Sequence, residues 1–169
     1  MADIPAQIYR RLCVALVQCA CFVSDAELRA IFADSRISVW RDTLKETDSP
    51  AARVQATVAH LSERHDAQGH NALVLLLRVL ADQTPVADAQ HRALAQLAAD
   101  LEHALTHLGQ YELCGVLGRG QYATVYKARD TQTGRWVALK ELHRLLAVGK
   151  LGGREGLAAE ALVQVDGPA

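Results

Sequence analysis

The sequence predicts an α+β chain: an all-α antiparallel helical bundle over residues 1–108, then three antiparallel strands and a closing helix over residues 109–169. Three observations lead there. Apolar residues recur at helical spacing as far as Leu108. From Gly109 the period falls to two, through β-branched and aromatic runs. Hydrophobic residues make up 50% of the 169, charged residues 22% and aromatics 5%, a globular composition suited to helices packed through aliphatic stripes.

The helices come first. Ile8, Leu12, Ala15, Leu16 and Cys19 share one face of a first helix. Arg10-Arg11 ahead of LCVALVQCACFV superficially resembles an export signal. Asp3 in the leading segment, Gln18 inside the run and the lack of a small-x-small cleavage site argue for a core helix instead. Ser24 followed by Glu27 is a capping box, opening a helix to about Ala33. Asp34 to Lys45 reads as a short helix or turn carrying Trp40. Ser49-Pro50 is an N-cap with proline in the first turn, leading through Val54, Val58 and Leu61 to about His65. Gly69 breaks the chain, and Asn71 caps ALVLLLRVLA, which is apolar almost all round and therefore central. After Pro85 a last helix aligns Leu94, Leu97, Ala98, Leu101, Leu105 and Leu108 on one stripe. Short connections make this an antiparallel bundle.

Beyond it, Tyr111, Leu113, Gly115 and Leu117 alternate with other residues. Thr124-Val125-Tyr126 and Trp136-Val137-Ala138-Leu139 are further strand runs, joined by a turn at Thr131-Gln132-Thr133-Gly134. Helical character returns after Lys140, with one helix expected over Leu157 to Val165. Gly109-Gln110 is then a domain boundary with almost no linker.

Charge excludes some partners. Residues 1–108 hold 10 Lys and Arg against 13 Asp and Glu, and residues 109–169 hold 8 against 6. Neither part has the basic run that a nucleic-acid surface needs, and no apolar segment is long enough to span a membrane. Cys13, Cys19, Cys21 and Cys114 lie in no zinc-ligand spacing and read as buried free thiols of a reducing cytoplasm, so the expected localisation is cytoplasmic. Six of the seven histidines precede residue 108, at solvated-looking helix positions.

The stretch FADSRISVWRDTLKETDSPAARVQATVAHLSERHDAQGHNALVLLLRVLADQ resembles the effector-associated domains of bacterial conflict and signalling proteins, small death-fold-like helical modules. The resemblance covers roughly residues 4–108. Its most specific pieces are Trp40-Arg41-Asp42, Ser49-Pro50-Ala51-Ala52-Arg53-Val54 and Asn71-Ala72-Leu73-Val74-Leu75. It implies a protein partner, or self-association, that couples a sensor to an effector.

The chemistry-bearing stretch is LGRGQYATVYKARDTQTGRWVALK, Leu117 to Lys140. A G-x-G-x-x-G pattern alone is weak, and Ala123 replaces its third glycine. The segment after the glycines decides between folds. In a dinucleotide-binding fold they open a helix; here they open a strand, so they form the bend of a hairpin. A strand, glycine loop and strand followed by Val-Ala-Leu-Lys is the protein-kinase arrangement. Residues 111–169 thus resemble the start of a bacterial serine/threonine kinase catalytic domain, a partial N-lobe with glycine loop, third strand and helix αC.

That resemblance implies an ATP site assigned residue by residue. Leu117 walls the adenine, while Gly118 and Gly120 let backbone N–H groups approach the phosphates across Arg119 and Gln121. Tyr122 covers the loop, Val125 packs on the adenine, and small Ala138 forms the opposite wall. Lys140 reaches the phosphates as a point charge, partnered by a carboxylate on αC, with Glu160 fitting better than Glu155. The loops that hold Mg²⁺ and the acceptor hydroxyl, H-R-D-x-x-x-x-N and D-F-G, do not occur in the 169 residues: His91-Arg92 and His143-Arg144 are followed by Ala93 and Leu145, and no phenylalanine lies beyond Phe32.

We therefore expect the N-terminal part of a longer serine/threonine kinase, with no catalytic residue in the fragment, which alone transfers no phosphate. ATP, a protein substrate and, in the complete enzyme, Mg²⁺ are the implied ligands. The alternatives are a signalling adaptor with a vestigial kinase-like tail and a nucleotide-sensing module without catalysis.

Overall fold

A computed structural model describes residues 4–142 and 159–164. The chain divides into two compact units, Met1–Leu105 and Thr106–Ala169.

The first unit is helical. Five α-helices, α1 (Ala6–Val17), α2 (Asp25–Ile31), α3 (Pro50–Leu61), α4 (Ala72–Asp82) and α5 (Ala89–Thr106), are joined by loops that include 3-10 segments at Ala20–Phe22 and Ser38–Thr43. Side-chain caps fix three starts. Ser24 Oγ accepts from the Glu27 N–H at 3.2 Å and Ser49 Oγ from the Ala52 N–H at 3.3 Å. Asn71 Oδ1 accepts from the Leu73 N–H at 3.0 Å, while its Nδ2 donates to the Ser62 carbonyl at 2.8 Å. Each cap satisfies a donor that the first helical turn leaves unpaired. The ends come earlier than periodicity suggests: α2 stops at Ile31 and α3 at Leu61. After α3, His65 pairs with Asn71 in an isolated bridge and Ala72 donates to the Arg64 carbonyl at 2.8 Å, so the loop's backbone bonds to itself.

α4 is the core helix. All its residues from Ala72 to Ala81 are buried except Arg78, which is tied to Glu102 of α5 at 2.6 Å. Leu12, Leu16, Phe22, Phe32, Ile37, Trp40, Val58, Leu94 and Leu101 pack into the same cluster, each such side chain contributing about 1.5–3 kcal/mol by leaving water. One buried cation organises the corner opposite. Arg53 is 5% exposed; its Nε donates to Asp25 Oδ1 at 2.6 Å, and its other nitrogens donate to the carbonyls of Phe22, Val23 and Thr47. The guanidinium fork so joins α3 to α2 and two loops, and it holds the Asp25 carboxyl below its usual range. Among the described residues no helix is long and apolar enough to cross a membrane.

The second unit is an antiparallel sheet in the order β1 (His107–Leu108), β2 (Tyr111–Arg119), β3 (Ala123–Asp130), β4 (Trp136–Leu142) and β5 (Ala159–Gln164). The α+β class holds, with two corrections. Leu108 leaves the helical stripe: it pairs with Tyr111 across a two-residue turn in which Gly109 takes φ +60°, a conformation glycine adopts without steric cost. The helix expected over Leu157 to Val165 is replaced by β5, and the described portion pairs antiparallel with β4. The physical reason is the edge. β4 otherwise presents a row of unpaired N–H and C=O groups, and pairing with β5 satisfies them where a helix could not. Glu155, Leu157, Val165 and the turn expected at Asp166–Ala169 lie outside the described residues.

The β3–β4 turn is pinned by Asp130. Its Oδ1 accepts from the N–H groups of Gln132 and Thr133, and Gly134, at φ +72°, donates to its carbonyl at 2.8 Å. These bonds to the ionised carboxyl lower its pKa. The thiols differ from the expectation in one respect: Cys19 and Cys21 are buried and Cys13 is partly so, but Cys114 is exposed, because it sits in a bulge of β2.

Candidate functional site

β2 and β3 form the hairpin that carries the glycines. Gly118 stands opposite Val125 and Arg119 opposite Thr124, and the Gly120 N–H closes the bend on the Ala123 carbonyl at 2.8 Å. Ala123 begins a strand, so the segment after the glycines is extended. Gln121 and Tyr122 form the tip, where Tyr122 is 56% exposed, and Leu117, in a bulge between Val116 and Gly118, is 60% exposed.

Register decides which side chains share a face, because alternate residues of a strand point to opposite sides. Val125 is opposite Lys140 and Lys127 opposite Ala138. Val125, Lys127, Ala138 and Lys140 therefore share one face, with Gly118 facing them from β2. The other face carries Tyr126, Ala128, Val137, Leu139 and Glu141. Ala128 and Leu139 there are fully buried, and the Tyr126 hydroxyl donates to Glu141 Oε2 at 3.1 Å. Burial and that carboxylate both raise the Tyr126 pKa. Lys140 and Val125 are half-buried.

Gly118 and Gly120 have different local reasons. Neither lies in the left-handed region. A Cβ built on Gly118 meets no described atom within 4 Å, and one on Gly120 reaches only the Ala123 carbonyl at 3.6 Å, an ordinary contact. The fold does not require glycine at 118. Gly115 of the same strand shares both properties, and at either position the absent side chain leaves room for a group from outside the chain, such as a phosphate approached by backbone N–H groups. The Gly120 N–H is already engaged, so an anion at the bend competes with the Ala123 carbonyl for it.

Glu160 stands opposite Lys140 in the β4–β5 register, a strand position in place of the expected helical one. Reading from sequence also passed over one pair on the lysine face: Lys127 Nζ lies 4.4 Å from the centroid of the Trp136 ring, a cation–π contact. The signal was available, since Lys127 is two residues from Val125 and Trp136 two from Ala138. Among the described residues no group of three His, Cys, Asp or Glu could hold a metal ion.

Comparison with known proteins adds to this geometry. Short stretches relate the chain to serine/threonine protein kinases. It is 54% identical over 48 residues to CBL-interacting protein kinase 29 of Oryza sativa subsp. japonica, covering 28% of this chain and 11% of that protein. It is 59% identical over 39 residues to a probable serine/threonine-protein kinase of Streptomyces coelicolor, covering 23% and 6%. With cyclin-dependent kinase 4 of Xenopus laevis the identity is 59% over 34 residues, covering 20% and 11%. The chain thus spans about a tenth or less of the length of these relatives. No solved structure matches. The model of the family described as bacterial Death-like domain 1 matches residues 1–104, well over half of the sequence and all but the end of the helical unit. The chain belongs to the bacterial Death-like domain 1 family.

Proposed function

We propose that this chain is the N-terminal part of a protein serine/threonine kinase, in which the helical unit recruits a protein partner and the sheet binds ATP. The observation that carries the ATP reading is the shared face of Val125, Ala138 and Lys140 opposite Gly118, a glycine the fold does not need. On this reading Leu117, Val125 and Ala138 offer apolar surface to a purine. Tyr122, at the exposed tip with Gln121, covers the bound nucleotide. Gly118 admits a phosphate to the backbone, and Arg119 and Lys140 add positive charge, Lys140 as a compact ammonium that neutralises phosphate oxygens. ATP supplies the phosphoryl group. Mg²⁺ and the acceptor hydroxyl need groups that this sequence does not contain, so transfer belongs to a longer protein. Recruitment through the helical unit raises the local concentration of substrate or of a second kinase molecule.

The test uses the longest polypeptide that the gene encodes. Lys140→Ala is expected to lose transfer of labelled phosphate to protein while partner capture is unchanged; undiminished turnover in that variant refutes the role of Lys140.

One observation favours a second reading, a signalling adaptor with a vestigial kinase-like tail. Glu160 stands directly opposite Lys140 on an edge strand, a fixed register position in place of a carboxylate carried on a movable helix. An in-frame H-R-D and D-F-G after codon 169 decides for the enzyme, and a stop codon there decides for the adaptor.

A further inference from the structure

One exposed hydroxyl of the helical unit sits among cations. Thr43 closes the 3-10 segment Ser38–Thr43, where its Oγ1 donates to the Trp40 carbonyl at 2.8 Å and lies 2.8 Å from His60 Nε2. A hydroxyl has a single proton, so with that proton on the carbonyl the His60 Nε2–H is the donor of the second bond. Lys45 and Arg64 are close enough to act on the same imidazole: burial, then the charges of Arg64 and Lys45, push the His60 pKa below its usual value. Both cations are exposed, and neither pairs with a carboxylate among the described residues. Glu46, the acidic group beside Lys45, is taken by Arg29 at 3.1 Å.

This arrangement calls for an anion. Like charges gathered without a counter-charge repel one another, and an imidazole between them gives up its proton more readily. A phosphoryl group on Thr43 Oγ1 carries about −1.5 to −2 charges at pH 7 and three acceptor oxygens, and it starts within hydrogen-bond reach of His60. Exposed Asp42 and Glu63 and the C-terminal pole of α3 oppose it; His60, Lys45, Arg64 and exposed Arg41 stand on the other side. Other hydroxyls of the unit lack such surroundings. Ser24 and Ser49 serve as helix caps, and Thr84 donates to the Leu80 carbonyl.

We propose that Thr43 is a phosphoacceptor and that His60, Lys45 and Arg64 receive the phosphoryl group it then carries. The inference rests on the reading of this chain as part of a serine/threonine kinase, and it names a substrate hydroxyl for that kinase. Thr43 Oγ1 forms a bond to the γ-phosphorus of ATP, the bond from that phosphorus to the β–γ bridging oxygen breaks, and ADP leaves with the electron pair. The hydroxyl proton passes to solvent through a carboxylate base of the transferring kinase. The Trp40 carbonyl loses its donor, and the phosphate ties the 3-10 segment to the end of α3. Modification therefore changes the charge of the surface beside Arg41 and Asp42.

Two measurements test this. The longest polypeptide of the gene is incubated with Mg-ATP, its Lys140→Ala variant alongside, and phosphorylated residues are mapped by mass spectrometry. Phosphate is expected on Thr43 in the wild type and not in the variant. Phosphate on other residues or on an added protein, with Thr43 bare, overturns the site and leaves the kinase standing. No phosphate on any protein overturns both. The 169-residue chain is also made with phosphothreonine encoded at position 43, its fold verified by circular dichroism, and His60 is followed by NMR against pH. Phosphorylation is expected to raise the proton affinity of His60 at least about tenfold, and the second pKa of the phosphate should fall below that of a phosphothreonine peptide. In a Lys45→Gln, Arg64→Gln double variant most of that fall should disappear. Unchanged titration of His60 and of the phosphate overturns the assignment of the three cations.

Discussion

Gly118 offers a perturbation for which folding and ligand binding move in opposite directions. Its φ is outside the left-handed region, and a Cβ there meets no described atom within 4 Å. Glycine inside a strand is destabilising by about 0.5–1 kcal/mol relative to alanine, because the unfolded chain has more freedom to lose. Gly118→Ala should therefore stabilise the sheet by roughly that amount. For a domain of this size that raises its melting temperature by about 2–8 °C. If Gly118 is kept for phosphate approach, the same methyl group weakens ATP binding at least about tenfold, or about 1.4 kcal/mol. Gly134 is the control: at φ +72° alanine is strained, so Gly134→Ala should destabilise by about 1–2 kcal/mol without a direct effect on the nucleotide. Melting curves with and without Mg-ATP, on the longest polypeptide of the gene, separate the two. A Gly118→Ala protein that melts lower refutes the claim that the fold does not need this glycine. One that binds ATP as tightly as wild type refutes the phosphate role.

Two further outcomes concern the helical unit. Asn71→Ala should cost about 2–4 kcal/mol in urea unfolding, from a lost N-cap of about 1 kcal/mol and a Ser62 carbonyl left without its donor at about 1–3 kcal/mol; Asn71→Ser, which keeps only the cap, should recover the smaller part. Hydrogen bonds from the Arg36 guanidinium, with its backbone N–H, hold the Asp34 carboxyl down to about 2. Because the folded value is depressed, the stabilisation is present above the unfolded value near pH 4 and is lost as pH falls toward 2. Arg36→Ala should flatten that part of the pH–stability curve, and an unchanged acid limb would count against the pair.

The helical unit was legible because its signals are local. Ser24, Ser49 and Asn71 each act within three residues, so sequence alone reveals the caps, and the apolar run after Asn71 announces a helix with no solvent face to spare. Where a decision depended on distant chain, local pattern misled. Leu108 continues the heptad-like spacing of Leu101 and Leu105, yet it pairs with Tyr111 across a glycine turn, and only the presence of β2 settles that competition. The stretch AEALVQ has good helix formers; what makes it a strand is the open edge of β4. At the candidate site, alternation in Val125-x-Lys127 and Ala138-x-Lys140 reveals which residues share a face. Whether β3 and β4 align so that the two faces coincide depends on the turn between them, which spacing alone does not fix. Arg53 was equally hidden: nothing near it in sequence announces a buried cation, because three of its four partners, Asp25, Phe22 and Val23, lie about 30 residues earlier.

The turn from Thr131 to Gly134 also constrains how the gene can vary. It acts as a counter for the strands on either side. Adding or removing one residue between Asp130 and Trp136 leaves two ways to absorb the change. Either a bulge takes up the extra residue, or β4 slides by one and every one of its side chains changes sides. In the second case Lys140 and Ala138 exchange places with Leu139, and a leucine now buried is turned toward solvent. Insertions and deletions here should thus be purged by selection unless they come in pairs, although the loop is exposed.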